Sequence, residues 1–117
     1  MNWSYVADII KAMGHPVRLR ILSILCEGDE NVGDLAREIG TPHASVSQQL
    51  AILRMRGLVS RRHEAGHAVY SMKVAGIRDM ISCMRRYEAQ AHPPASDTSS
   101  LSETPVETAV QSNGGTQ

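Results

Sequence analysis

Two short helical runs, 32–40 and about 43–56, are joined through Gly40-Thr41-Pro42. That punctuation constrains the chain more than any other feature. The second run continues as ASVSQQLAILRMRGLV and stops at Gly57. At about 100° per residue, Val46, Leu50 and Leu53 share one face. Ala44, Ser47, Gln48 and Ala51 lie on the other. A solvated helix face usually carries Lys and Glu. This one is short and uncharged, which leaves room for something bulky to approach its backbone.

The rest of the ordered sequence is also mostly helical. Val6, Ile9, Ile10 and Met13 recur at helical spacing over 3–13. His15-Pro16 restarts a helix, with Pro favoured at its first position and His15 as a cap, and VRLRILSILCEG carries it to Gly28. Asn31 with Asp34 three residues later marks the start of VGDLAREIG, which Gly40 ends. Thr41-Pro42 opens the fourth helix, running to about Arg56. LVSRRHE and AVYSMKV alternate as strands and join around Ala65-Gly66 as a hairpin. A final helix covers about 74–89. The order is four helices, a hairpin and a helix.

From His92 onward the composition turns to Pro, Ser, Thr and Gly, with no apolar periodicity. Such a segment buries too little surface to offset chain entropy, so residues 92–117 are expected to be a disordered acidic tail. The ordered domain is then 1–91, small enough that dimerisation would help it. The zero formal net charge hides an asymmetry. All twelve Lys and Arg precede residue 92, against nine acids there, and the remaining three acids sit in the tail. A basic body suits a polyanionic partner. No apolar run approaches the ~18 residues of a membrane span, and MNWSYVADIIKAMGHP lacks the marks of a signal peptide. The expected location is the cytoplasm, with no membrane partner and two cysteines held as free thiols.

Two short helices joined by a tight turn and followed by a hairpin make a winged helix-turn-helix. The fold expected is thus mostly α with a β-hairpin wing. In such a unit the second helix enters the DNA major groove and the hairpin reaches the flanking backbone. Ala44 and Ala51 permit close approach, Ser47 and Gln48 can hydrogen-bond base edges, and His43 adds a donor in the first turn. Between Arg54 and His63 there are four arginines, Arg54, Arg56, Arg61 and Arg62, and no acid. They sit where phosphates would run and would make affinity fall with salt. His63 and His67 flank the hairpin turn and belong to the same wing surface. Arg18 and Arg20 are weaker candidates. The competing reading is a plain solvated face; the helix order, the hairpin and the acid-free basic run together favour double-stranded DNA.

HPVRLRIL, VGDLAREIG, SVSQQLAILRMRGLVSRR and GHAVYSM also resemble the ArsR/SmtB transcriptional repressors, in order and without gaps over about 5–90. The resemblance implies a repressor that is homodimeric through its first and last helices. It implies binding to an inverted-repeat operator and release when an inducer is sensed. Relatives often have Ser at the position of Pro42, so here Thr41 is expected to cap the recognition helix.

The family's sensory sites are only partly represented. The Cys-x-Cys of its metalloid and cadmium sensors would fall on Asn31, Val32 and Gly33. The Asp-x-His of its zinc, nickel and cobalt sensors would begin at Asp79, which Met80 and Ile81 follow, and the nearest His is His92. No four-ligand zinc site can be assembled, and no cofactor is implied. Cys26, on the buried stripe of the second helix near Leu19 and Leu22, and Cys83, at the edge of the stripe formed by Ile77, Met80 and Met84, remain. Both read equally as small core hydrophobes, which react slowly when buried. One subgroup of the family instead pairs a cysteine on the second helix with one on the last as a thiol switch. Its usual positions would be Ser23 and a turn or more beyond Cys83, so both thiols here are displaced. Three readings stay open: thiol switch, structural cysteines, and metal or metalloid sensing.

No Ser/His/Asp cluster, carboxylate pair, phosphate loop or metal motif is present, so neither an enzyme nor a small-molecule substrate is expected. A protein-docking winged helix is the rival class. Met55 and Ile52 favour it, and Arg61 and Arg62 oppose it.

Overall fold

The first three helices each begin on a side chain that captures a free first-turn amide. In the computed structural model, which describes residues 1–91, α1 (Trp3–Met13) starts where Asn2 Oδ1 accepts from the Tyr5 amide at 3.0 Å. At α2 (Pro16–Leu25) His15 Nδ1 accepts from the Val17 amide at 3.1 Å, with Pro16 in the first turn. At α3 (Val32–Ile39) Asn31 Oδ1 accepts from the Asp34 amide at 2.8 Å. Such caps typically stabilise a helix by about 1 kcal/mol each.

The fourth helix, α4 (His43–Met55), departs from this pattern and from expectation. Pro42, not Thr41, occupies the cap position, and no side chain accepts from the first-turn amides. The reason lies in the preceding helix. Gly40 adopts the left-handed conformation at φ 76°, and the amides of Gly40 and Thr41 both donate to the Ala36 carbonyl at 2.8 and 3.2 Å. Thr41 is thereby committed to ending α3.

Two further boundaries differ. The regular part of α2 stops at Leu25, short of Gly28, because the Glu27 amide tightens onto the Ile24 carbonyl at 2.9 Å. Cys26 is left as the cap. The last helix, α5, runs Gly76–Ala91.

β2 (Val59–Glu64) and β3 (His67–Met72) form the hairpin, in register from Val59 opposite Met72 to Glu64 opposite His67. Ala65 and Gly66 turn it with φ of 51° and 80°. Two consecutive left-handed residues match the twist of the strands. Glycine adopts this conformation freely, and Ala65 does so at some cost. A short strand that sequence reading missed, β1 (Glu30–Asn31), pairs antiparallel with β3, giving the order β1-β3-β2. Two residues carry no readable alternation, so only the pairing reveals it.

Packing divides the chain into two compact units, 1–81 and 82–117. In the first unit α4 packs against α1, α2, α3 and β2. Its Val46, Leu50 and Leu53 join Ile21, Leu22 and Leu35 with no exposed surface. On α5 the buried side chains are Ile77 and Ile81, whereas Met80 stands 41% exposed. The expected Ile77–Met80–Met84 stripe is corrected accordingly: spacing of four at Ile77 and Ile81 selects the inward face. In the second unit the described part is the end of α5, with Met84 and Tyr87 exposed. The expectation of a disordered tail at 92–117 lies outside the described residues.

The orientation of α4 has a direct test in chemical unfolding. Leu50→Ala removes a fully buried side chain and is expected to cost about 3 kcal/mol. Gln48→Ala, on the exposed face, is expected to cost under about 0.5 kcal/mol. Equal losses would mean that α4 faces another way.

Candidate nucleic-acid interface

With Val46, Leu50 and Leu53 buried, the helical period turns His43, Ala44, Gln48 and Ala51 outward as exposed residues. Ser47 is half-buried at the margin. No Asp or Glu occurs anywhere in α4. The exposed face is therefore neutral and low until Arg54 and Arg56, both exposed at its C-terminal end. Met55 between them is 85% exposed.

Gln49 does a different job from Gln48. Its Oε1 accepts from Arg18 Nη1 at 3.3 Å, tying the start of α2 to the middle of α4. Arg18 is half-buried, so it serves to join helices more than to meet a ligand, whereas Arg20 is exposed. Of these two weaker phosphate candidates, only Arg20 is thus open to solvent.

The wing separates residues that the sequence groups together. Residues opposite one another on antiparallel strands share a face, and successive residues alternate. Val59, Arg61 and His63 thus share a face with Met72, Tyr70 and Ala68. Val59 and Tyr70 are buried, so this is the core-side face, and Arg61 and His63 continue it into solvent. Arg62, Glu64, His67 and Ser71 occupy the other face. His63 and His67 therefore point away from each other. Among the described residues no group of three His, Cys, Asp or Glu side chains is placed to hold a metal ion.

Arg62 is the residue whose placement departs most from the sequence reading. Its Nη1 donates to Asp29 Oδ2 at 2.8 Å and to Ser71 Oγ at 2.9 Å, and its Nε donates to Glu64 Oε2 at 3.1 Å. A guanidinium held by two carboxylates presents little attraction to a phosphate. The hydrogen bond from Arg62 holds the Asp29 carboxyl below its ordinary range, against some desolvation, and Ser71 adds to the effect. Asp29 and Glu64 in turn raise the pKa of Arg62. Asp29 follows Gly28 in the loop after α2, 33 residues from its partner, and no local sequence signal points to it.

Both cysteines are free thiols. Cys26 is half-buried against the core at the end of α2, and Cys83, in the second unit, is exposed.

The model of the bacterial regulatory proteins of the arsR family matches residues 15–61, which run from the α2 cap through α4 into the wing. The transcriptional activator HlyU of Vibrio cholerae is 34% identical over 91 residues, covering 78% of this chain and 84% of HlyU. The chain belongs to the arsR family. As a member it is a DNA-binding transcriptional regulator with a winged helix-turn-helix, not an enzyme. The biofilm growth-associated repressor of Xylella fastidiosa is 34% identical over 79 residues, covering 68% of this chain and 69% of that one. Among solved structures, V. cholerae HlyU superposes with a TM-score of 0.69 at 32% identity, over 77% of this chain and all of HlyU. A homodimeric winged helix-turn-helix DNA-binding domain from Mycobacterium bovis superposes with a TM-score of 0.67 at 25% identity, over 83% and 89% of the two chains.

The ion pair at Asp29 gives this arsR-family regulator an acid-sensitive element. A carboxyl whose pKa is lowered on folding contributes stability above its unfolded value, near 3.8, and loses it as pH falls through the folded value. The wild type is expected to be more stable than Asp29→Asn at pH 7, with the gap closing below about 3.8. Unfolding curves at a series of pH values measure it. A gap that stays constant down to pH 2 would show that Asp29 is not held in this way.

Proposed function

We propose that this regulator is a repressor acting as a homodimer, with residues 1–91 as the working domain and α4 of each protomer in the major groove of an inverted-repeat operator. The acid-free outer face of α4 carries the reading. Small side chains at Ala44 and Ala51 allow the helix backbone to come close to base edges. Ser47 and Gln48 supply hydrogen bonds there, and His43 a donor at the entrance. The first-turn amides of α4, which no side chain caps, suit a phosphate at the positive end of the helix. Arg54, Arg56 and Arg61 meet the flanking backbone, and His63 and His67 line the two sides of the wing. Exposed Trp3, Tyr5 and Ile10 on α1, and Met84 and Tyr87 on α5, are apolar surface suited to a second copy of the chain. The M. bovis domain is a homodimer, and the X. fastidiosa relative is a repressor. No helix among the described residues is long and apolar enough to cross a membrane, in keeping with work on DNA in the cytoplasm. A protein-docking winged helix would place acids or a continuous apolar patch on α4, and Met55 stands there between two arginines.

Gel shifts with the upstream region of its own gene at two salt concentrations test the reading. Binding is expected to fall steeply with salt, by a log–log slope of about 0.9 per phosphate contact. Gln48→Glu and Arg61→Glu are expected to bind at least about tenfold more weakly. A protein that ignores every duplex at low salt, or a reporter that falls when the gene is deleted, would overturn repression by DNA binding.

For release from the operator we propose thiol chemistry at Cys26 and Cys83. Both thiols are free and Cys83 is open to reagents. Oxidation would join the two sulfurs, sending two electrons and two protons to the oxidant, and requires Cα atoms within about 7 Å. A bridge from the end of α2 to α5 need only disfavour the DNA-bound arrangement by a few kcal/mol. Polysulfide or peroxide is expected to weaken operator binding of the wild type, while Cys26→Ser and Cys83→Ser keep theirs. Unchanged wild-type binding after treatment would leave the cysteines with a structural role.

A further inference from the structure

The ribbon of β2 and β3 extends well beyond its support. Val59 and Tyr70 are buried at its base, while Arg61 to His67 are all exposed. A two-stranded ribbon is marginal in water by itself, and β1 covers only Tyr70 and Val69 of β3. Something outside the core must set the direction in which the wing projects.

Arg62 is placed to do so. Its three partners come from three segments: Asp29 from the loop after α2, Glu64 from its own strand and Ser71 from the neighbouring one. The planar guanidinium offers donors in fixed directions, so bonds to three segments fix their relative orientation as well as their distance. Two of its partners are carboxylates, at 2.8 and 3.1 Å. A phosphate reaching this guanidinium would meet both negative charges. On the opposite face Arg61 makes no side-chain hydrogen bond or ion pair among the described residues. The wing thus carries two adjacent arginines in unlike situations, one clasped and one available.

We propose that Arg62 is a positioning residue for DNA recognition: clasped by Asp29, Glu64 and Ser71, it pins the wing to the loop after α2 so that Arg61 on the other face meets the phosphate backbone. This rests on the DNA-binding reading above and adds a division of labour within it. Asp29, an acid in a protein that binds a polyanion, is then required for affinity.

The alternative is that Arg62 itself binds phosphate and Asp29 merely restrains it. The two differ in sign at Asp29. The full chain and its Arg62→Gln, Asp29→Asn and doubly substituted variants are titrated with operator duplex across a salt series, with Arg62→Lys as a conservative control. Each single substitution is expected to weaken binding by up to about fivefold, the modest scale of an exposed ion pair. The double variant is expected to be no weaker than Arg62→Gln, because both remove one clasp. The salt slope is expected to stay at the wild-type value, since no phosphate contact is lost. Arg62→Lys should recover part of the affinity. Equal or tighter binding by Asp29→Asn, or a slope reduced by about 0.9 per contact in Arg62→Gln, overturns the proposal.

Hydrogen exchange without DNA reads the clasp independently. Amides of 60–71 are expected to exchange faster in Arg62→Gln and Asp29→Asn alike, while those of α4 keep their protection. Unaltered exchange in the hairpin overturns the proposal. Should the wild type bind no duplex, the DNA-binding reading fails, and the exchange result still decides whether Arg62 holds the wing.

Discussion

Val46, Leu50 and Leu53 have no exposed surface, and that burial decides which face of α4 is left to solvent. A helix is a rigid cylinder, so fixing one stripe fixes the opposite one. Burying a Leu or Val side chain favours the folded state by roughly 1.5–3 kcal/mol. Three such residues set the rotation of α4 against α1, α2, α3 and β2, and the Arg18–Gln49 hydrogen bond adds a polar tie to α2. Ala44, Gln48 and Ala51 face outward because the apolar residues cannot. The neutral outer face of α4 is thus a by-product of core packing.

Charge is arranged around that surface with comparable economy. α4 contains no acid, and its exposed arginines gather at the C-terminal end where the wing begins. The wing then splits its cations by strand alternation: Arg61 on the core-side face, Arg62 on the other. One arginine is paired with two carboxylates, and its neighbour on the opposite face makes no such pair among the described residues. The same residue type meets both situations because strand geometry gives successive side chains opposite surroundings. Relatives in the arsR family include both a repressor and a transcriptional activator.

Much of the fold was legible in residue order. Asn2 aside, the capping residues His15 and Asn31, the Gly40 stop and the Ala65-Gly66 turn announce themselves locally, because caps and turns are short-range chemistry. The apolar stripe of α4 could be read from spacing alone. What could not be read involved distant partners. Glu30 and Asn31 form a strand only because β3 lies beside them. Thr41 looks like a cap until α3 claims its amide. On α5, Met80 and Ile81 are equally apolar in the sequence, and the core chooses Ile81.

The candidate site divides along the same line. The sequence by itself determined which helix carries the short neutral face and that basic residues follow it, since both depend on composition within a few turns of chain. Only tertiary structure decided which of two adjacent arginines is free, because the answer lies with Asp29, 33 residues away. Helical and strand periods are properties of a local backbone. The company a charged side chain keeps is set by which segments the core brings together.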